Sequence, residues 1–388
     1  MTTFFPDEIL ENILSRLPVK CLLRLRFVSK AWFSLISSPY FVKLHLKRSV
    51  QNKSNLSLYI TNDRVLSRWN FYSLDDHDHV LRPEEIVRHP LSYRKYTIQN
   101  WGSCDGLICL SNTFFFDDFV CLWNPSTNKS IKLPYTSTTL TRNDDRSYGF
   151  YYDITNDDYR VVRTTLFVGK IFDYEIKVYS LRSNSWHRLE KFHQGPNFNS
   201  KVAIACGALH WTLGEADEEK IWIVAFDLVT EKYRVISQPE YSGPPYLISL
   251  YNFEGCLSLS CHYYSNVVAV VDVWLLNEYG EKNEYWSKLV SLPLTEPTDL
   301  TWECSNFSAK PVAYSKSGKK VLLEIDCKKL VWYNLEQKSV EDIMLQDLEP
   351  YIQIHFYSES LVSLSAEAVT NAKKNSRRKK KMKYRKHR

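Results

Sequence analysis

Phe5-Pro6-Asp7-Glu8-Ile9-Leu10-Glu11-Asn12-Ile13-Leu14-Ser15-Arg16-Leu17-Pro18-Val19-Lys20-Cys21-Leu22-Leu23-Arg24-Leu25-Arg26-Phe27-Val28-Ser29-Lys30-Ala31-Trp32, near the start of the chain, is unlike everything that follows it. Pro6 with two acids after it is a favourable helix opening: proline fits the first turn, and carboxylates face the positive end of the helix dipole. Leu10, Ile13, Leu14 and Leu17 fall at i, i+3, i+4 and i+7, one apolar stripe that stops at Leu17-Pro18. Cys21, Leu22, Leu25 and Val28 form a second short stripe among Lys20, Arg24 and Arg26. Ser29 is the predicted N-cap of a third helix with Trp32, Phe33, Leu35 and Ile36 as its apolar face and Ser37-Ser38-Pro39 as its end. A fourth helix is predicted from Tyr40 to His45. Helices this short carry more apolar surface than they can hide among themselves. Either they cap the domain behind them, or their leftover face binds another protein.

From about residue 55 to 365 an aromatic-centred strand recurs. It reads Phe71-Tyr72-Ser73-Leu74, Leu122-Trp123-Asn124-Pro125, Val178-Tyr179-Ser180-Leu181, Ala225-Phe226-Asp227-Leu228, Val273-Trp274-Leu275-Leu276 and Trp332-Tyr333-Asn334-Leu335, in steps of 51, 56, 47, 48 and 59. Seven residues after Tyr179, Phe226 and Tyr333 come Trp186, Tyr233 and Val340, each predicted to open the return strand of a hairpin. Gly106, Gly207, Gly255 and Gly318 open apolar strands ahead of four of these hairpins, and are predicted to sit where backbones crowd at a common axis. A period near 50 with about four strands per repeat is the signature of a kelch-like β-propeller, here of about six blades. Only 11 glycines occur and no Gly-Gly pair, so the repeat is a degenerate one.

The composition fits one small and one large globular domain: 388 residues, 44% hydrophobic, 24% charged. An aromatic share of 14% leans towards β-structure. No stretch approaches the roughly 18 apolar residues of a membrane helix, and the N-terminus lacks a signal-peptide pattern. A soluble protein of the cytoplasm, the nucleus or both is expected, with no membrane partner. The nine cysteines are scattered without a CxxC pair and mostly lie beside apolar residues, so they are expected to be buried hydrophobes, not a disulfide framework or a zinc site. Residues 373–388 hold 11 of the 50 Lys+Arg and no acid, which leaves 39 basic against 44 acidic residues in the body. The basicity is therefore a property of a solvated, disordered tail. Its cluster Arg377-Arg378-Lys379-Lys380-Lys381 suits nuclear import or non-specific phosphate contact. A slightly acidic body without a basic-aromatic groove pattern points away from nucleic-acid recognition. Asp75-Asp76-His77-Asp78-His79 has metal-ligand residue types, but it falls in a predicted turn with no partner ligands, and His210 reads as a strand residue beside Trp211. No catalytic, cofactor or metal site is expected.

The run from Phe5 to Trp32 resembles the plant F-box motif almost position by position, with Phe5 where the family usually has leucine and Ser29 where it often has cysteine. The region behind it resembles the kelch-like F-box-associated domain through Gly102-Ser103-Cys104-Asp105-Gly106-Leu107-Ile108-Cys109, Trp123-Asn124-Pro125-Ser126-Thr127 and Ser358-Glu359-Ser360-Leu361-Val362. The closing segment and layout are similar to the S-locus F-box branch, whose members recognise style ribonucleases. The resemblance implies an all-α F-box of three to four helices over 1–46, a large all-β propeller-like substrate-binding domain over 47–366, and a basic tail over 367–388. It implies a non-catalytic substrate receptor of an SCF-type cullin–RING ubiquitin ligase, docking on a Skp-type adaptor and, through it, on a cullin. Pro6, Leu10, Ile13, Leu14, Leu17, Pro18, Leu22, Leu25, Val28 and Trp32 match the family's adaptor-binding and mini-core positions, and one stripe serves both. The alternative is a nucleic-acid-associated interaction protein that uses the basic tail.

Overall fold

In the computed structural model, described over residues 6–52, 56–62, 65–70, 80–81, 83–92, 97–114, 117–136, 144–167, 173–190, 202–213, 221–243, 245–264, 269–294, 309–345 and 352–364, the helices come first and strands follow. The helices are α1 (Asp7–Leu14), α2 (Val19–Leu25), α3 (Lys30–Ile36) and α4 (Pro39–Gln51). No helix among the described residues is long and apolar enough to cross a membrane. Ser29 accepts the Trp32 N–H at 3.1 Å, the predicted cap of α3. Ser38 does the same for Phe41 at 3.1 Å, with Pro39 in the first turn of α4. Ser37-Ser38-Pro39 thus ends one helix and opens the next, because the first turn does not need the N–H that proline lacks. With that start, α4 runs on past His45 to Gln51, and the boundary expected after residue 46 falls inside it.

The strands form six sheets arranged as blades. The first blade holds β1 (Leu56–Asn62), β2 (Val65–Asn70) and β4 (Glu85–Ile86), while β3 (Val80–Leu81) leaves it. The second is β5 (Ile98–Cys104), β6 (Leu107–Phe114), β7 (Asp117–Asn124) and β8 (Lys129–Lys132). The third is β9 (Asp145–Asp153), β10 (Asp158–Leu166), β11 (Tyr174–Ser180) and β12 (Ser185–Arg188). The fourth is β13 (Ala203–Ala205), β14 (Ala208–Leu213), β15 (Trp222–Asp227) and β16 (Tyr233–Ile236). The fifth is β17 (Pro245–Phe253), β18 (Cys256–Tyr264), β19 (Ala269–Asn277) and β20 (Tyr285–Leu294). The sixth is β21 (Ala309–Tyr314), β22 (Lys320–Ile325), β23 (Lys329–Asn334) and β24 (Val340–Leu345). β25 (Ile352–Ser358) then returns to the first blade as its innermost strand, antiparallel to β1 from Leu56↔Ser358 to Asn62↔Ile352. The innermost strands β25, β5, β9, β13, β17 and β21 touch in that order, and β21 meets β25 again, so the ring is closed. β3 pairs parallel with β24 (Val80↔Met344) and latches the first blade onto the outer edge of the sixth.

Each neighbouring pair of blades shares its own apolar cluster, so the core is a ring of six clusters and not one centre. A strand sandwiched on both faces reads as a continuous apolar run, not an alternating one. All six residues of β14 are buried for that reason. The recurrent aromatics Trp123, Tyr179, Phe226, Trp274 and Tyr333 all lie on the third strand of their blades. The motif at Tyr72 lies outside the described residues; on β2, buried Trp69 followed by Asn70 holds the equivalent place. The predicted hairpins pair as expected, with Tyr179↔Trp186, Phe226↔Tyr233 and Tyr333↔Val340. Their turns share a code. The polar residue ending the third strand accepts the N–H three residues on: Asn124 from Thr127 (3.2 Å), Ser180 from Ser183 (3.1 Å), Asp227 from Thr230 (2.6 Å), Asn334 from Gln337 (3.0 Å). One residue later the chain turns through positive φ at Asn128, Asn184, Glu231 and Lys338. Such side-chain turns hold a hairpin without glycine, which is how a propeller forms on so few of them.

Three of the four glycines that precede the hairpins, Gly207, Gly255 and Gly318, have a different role from the one expected, since a Cβ there would meet nothing within 4 Å. Asp105-Gly106, Cys206-Gly207 and Glu254-Gly255 are two-residue turns between first and second strands, with both residues of each at positive φ. Mirror-image turns of this kind match the strand twist and favour glycine. A Cβ added at Gly207 meets nothing within 4 Å, so conformation and not crowding selects that glycine. Crowding occurs at Gly149 on β9, where a Cβ would lie 2.8 Å from Ile204 Cγ1 of β13, and at Gly106, where it would lie 2.7 Å from the Ser358 carbonyl oxygen. Gly207→Ala is expected to cost about 1 kcal/mol for its backbone conformation. Gly106→Ala adds overpacking of about 1–3 kcal/mol. Urea denaturation of the two variants compares them directly, and equal losses would argue against a tight approach at Gly106.

Candidate partner-docking site

The helical module is built on Leu14, Val19, Leu22, Ile36 and Phe41, all fully buried. Arg48 ties α4 to α1 by donating to the Asn12 carbonyl (3.0 Å), to Asn12 Oδ1 (3.1 Å) and to the Ser15 hydroxyl. Buried His45 donates from Nε2 to the Leu17 carbonyl at 2.9 Å. That bond fixes the tautomer and leaves its buried Nδ1 without a hydrogen-bond partner among the described residues. Burial holds the His45 imidazole below its usual pKa.

Below about 6.5, the ordinary histidine value, the unfolded chain takes up a proton that the folded helices refuse. Stability present at neutral pH is therefore lost as the pH falls through 6.5 towards the depressed folded value. Buried His89, His210 and His262 are held down to about 4 and act in the same direction. Thermal unfolding is expected at clearly lower temperature at pH 5 than at pH 7.5. His45→Gln should weaken the pH dependence of amide protection in α4, and an unchanged profile would count against this role.

The ten residues carried by the sequence stripe divide into three groups. Leu14 and Leu22 are core. Leu10, Leu17, Leu25 and Trp32 are half-buried and pack against that core. Pro6, Ile13, Pro18 and Val28 are exposed. The structure adds exposed apolar side chains that the stripe did not select: Ile9, Phe27, Phe33 and Tyr40, with Phe27 at 91% exposure. Phe27 lies in the turn between α2 and α3, where helical periodicity does not apply. The only hint of it in the sequence was the surplus of apolar residues over what a small core can hold. Beside it, Arg26 is half-buried and its Nε is without a hydrogen-bond partner among the described residues; burial lowers its pKa.

His210 is fully buried on β14, with Nε2 2.8 Å from the Tyr279 hydroxyl. The Asp75–His79 cluster and the tail residues Arg377, Arg378, Lys379, Lys380 and Lys381 lie outside the described residues. Among the described residues no group of three or more His, Cys, Asp or Glu is placed to hold a metal. Among the described cysteines only Cys109, Cys121 and Cys261 are buried; Cys21, Cys206 and Cys256 are exposed, against the expectation of a mostly buried set. Cys206 sits in a tight turn and Cys256 directly after one, positions that an apolar sequence neighbourhood does not reveal.

Small helices with uncovered apolar side chains stand before a closed six-bladed propeller. Residues 4–44 match the F-box domain and residues 55–368 the F-box associated beta propeller domain, so the chain belongs to the F-box proteins that carry an F-box-associated β-propeller. It is similar to the F-box protein CPR1 of Arabidopsis thaliana, 32% identical over 385 residues that cover 92% of this chain and 88% of that protein. The F-box/kelch-repeat protein At3g23880 of the same plant is 31% identical over 312 residues, 76% of this chain and 82% of that one.

Proposed function

We propose that this protein is the substrate receptor of an SCF-type cullin–RING ubiquitin ligase, docking through its F-box on a Skp-type adaptor and, through that, on a cullin. The observation that carries the proposal is the exposed apolar set Ile9, Ile13, Phe27, Val28 and Phe33, left uncovered by a helical module whose core is already filled with the help of Leu361. Fully burying one such side chain stabilises by roughly 1.5–3 kcal/mol, so a partner that covers several gains substantially. The half-buried Arg26 suits a carboxylate from that partner.

The propeller presents its two faces differently. Near the F-box, strand ends are joined by the tight turns Asp105-Gly106 and 154–157, and Lys43 of α4 reaches Asp157 at 2.7 Å. Strand ends on the opposite face are farther apart in the chain, as from Lys132 to Asp145, from Arg188 to Ala203 and from Leu294 to Ala309. Long connections on a rigid scaffold are where recognition residues concentrate, and we assign the protein substrate to that far face. Ubiquitin transfer is then performed by other subunits, with this chain raising the local concentration of substrate near the conjugating enzyme.

The test is affinity capture of the full chain under proteasome inhibition, beside a version lacking residues 1–45. Loss of adaptor and cullin from the shortened version, with other captured proteins retained, is the expected result. Retention of the adaptor by the shortened version would overturn the proposal. A style ribonuclease among the captured proteins would place the chain with the S-locus branch. Nuclear entry is assigned to Arg377–Lys381: alanine at all five is expected to shift a fluorescent fusion to the cytoplasm, and unchanged distribution would remove that assignment.

A further inference from the structure

Two stretches singled out by the sequence, Trp123-Asn124-Pro125-Ser126-Thr127 and Ser358-Glu359-Ser360-Leu361-Val362, meet in space. Asn124 is fully buried, and its Nδ2 donates to the carbonyls of both Ser360 (3.1 Å) and Val362 (2.9 Å). Ser126 Oγ lies 2.8 Å from the Tyr357 hydroxyl. Ser360 Oγ donates to the Asp105 carbonyl at 2.6 Å and accepts the Val362 N–H at 3.3 Å. Two polar anchors, Asn124 and Ser360, therefore hold a segment that has already left β25, and Ser126 holds the end of β25 itself.

That segment is shared between the two modules. Leu361 is buried in the helical core with Leu14, Val19, Leu22, Ile36 and Phe41. Val362 and Leu364 are buried in the cluster between the second and third blades, against which Val42 and Leu46 of α4 also pack. The ion pair Lys43–Asp157 across the junction is exposed on both sides, and such pairs contribute little. Buried apolar contact through residues 361–364 carries the junction.

We infer that Asn124 and Ser360–Leu364 form a clasp that fixes the F-box on the propeller in one orientation. The F-box completes its core with a leucine from the far end of the chain, so it is not an independent bead on a linker. If the F-box docks on a ligase as proposed above, the clasp sets the geometry at which the far face presents its substrate. Asn124 is then a positioning residue, acting through a segment it holds and touching no partner itself. The clasp can be tested without any ligase, which keeps its failure separate from failure of the ligase reading.

The experiment uses the full chain with a donor–acceptor fluorophore pair introduced at exposed Lys47 on α4 and exposed Lys282 on the fifth blade, together with hydrogen exchange resolved by mass spectrometry. Asn124→Asp keeps size and the acceptor for Thr127 but faces two carbonyls with a carboxylate. Leu361→Ala removes the shared leucine. Both are expected to broaden the distance distribution and to raise amide exchange in α1–α4 about tenfold or more, while strands β13–β20 keep wild-type protection. Lys43→Ala should leave both readouts at wild type. Unchanged helix exchange and an unchanged distribution in Leu361→Ala would overturn the clasp. So would simultaneous loss of protection in the helices and in β13–β20, or a Lys43→Ala effect as large as that of Leu361→Ala. Should Asn124→Asp fail to fold, Leu361→Ala decides.

Discussion

A chain ending at residue 351 is expected to lose the whole propeller and not one strand of it. β25 is the innermost strand of the first blade although it comes last in the sequence, and it touches β5 on one side and β21 on the other. Ile352 and Ile354 fill the cluster between the sixth and first blades with Trp69, Leu322 and Trp332. Tyr357 fills the next one, its ring centroid 5.0 Å from that of Tyr59. Burial of each of these side chains is worth roughly 1.5–3 kcal/mol, against a total stability of about 5–15 kcal/mol for an ordinary domain. Removing three of them together with a central ladder leaves β1 as a bare edge, which invites pairing with other chains. The truncated chain should therefore aggregate, with loss of the cooperative urea transition followed by tryptophan fluorescence. Tyr357→Phe, which removes only the hydrogen bond to Ser126, should cost about 1 kcal/mol. Wild-type cooperativity in the truncated chain would show that β25 does not close the ring.

That strand illustrates what the sequence could and could not convey. The repeat period is set by local rules: an aromatic on the third strand, a polar cap such as Asn124 or Asp227, and a residue at positive φ four places after the cap. Local rules leave local traces, and the period near 50 and the blade count were legible from them. Ring closure is not local. Nothing around Ile352–Ser358 distinguishes an innermost strand of the first blade from an outer strand of the last, because its partners are some 300 positions away. The glycines show the same limit from the other side. Gly106 and Gly207 look alike in the sequence, yet only Gly106 has the closing segment pressed against it. In the F-box, the leucine stripe was visible but its division into core and surface was not: Leu14 and Ile13 are neighbours with the same apolar character, and helix packing alone sends one inward and the other outward.

The exposed side of that division leads to the largest expected effect on binding. Phe27→Ala together with Ile13→Ala is expected to weaken binding to a purified Skp-type adaptor by about 100-fold, since a few large apolar anchors usually carry most of an interface's energy and 1.4 kcal/mol corresponds to tenfold. Folding should be untouched, because Phe27 at 91% exposure contributes almost nothing to the helical core. Leu14→Ala is the contrasting case. It removes a side chain that is 1% exposed, and a loss of about 2–5 kcal/mol is expected from the transfer and cavity terms. The Leu14 variant loses binding because the helices melt, whereas the Phe27 and Ile13 variant loses it with circular dichroism and unfolding temperature unchanged. Biolayer interferometry beside thermal unfolding separates the two. If the double variant binds like wild type while Leu14→Ala does not, the adaptor reads some other surface that depends on the same fold, and the exposed set belongs to a different partner.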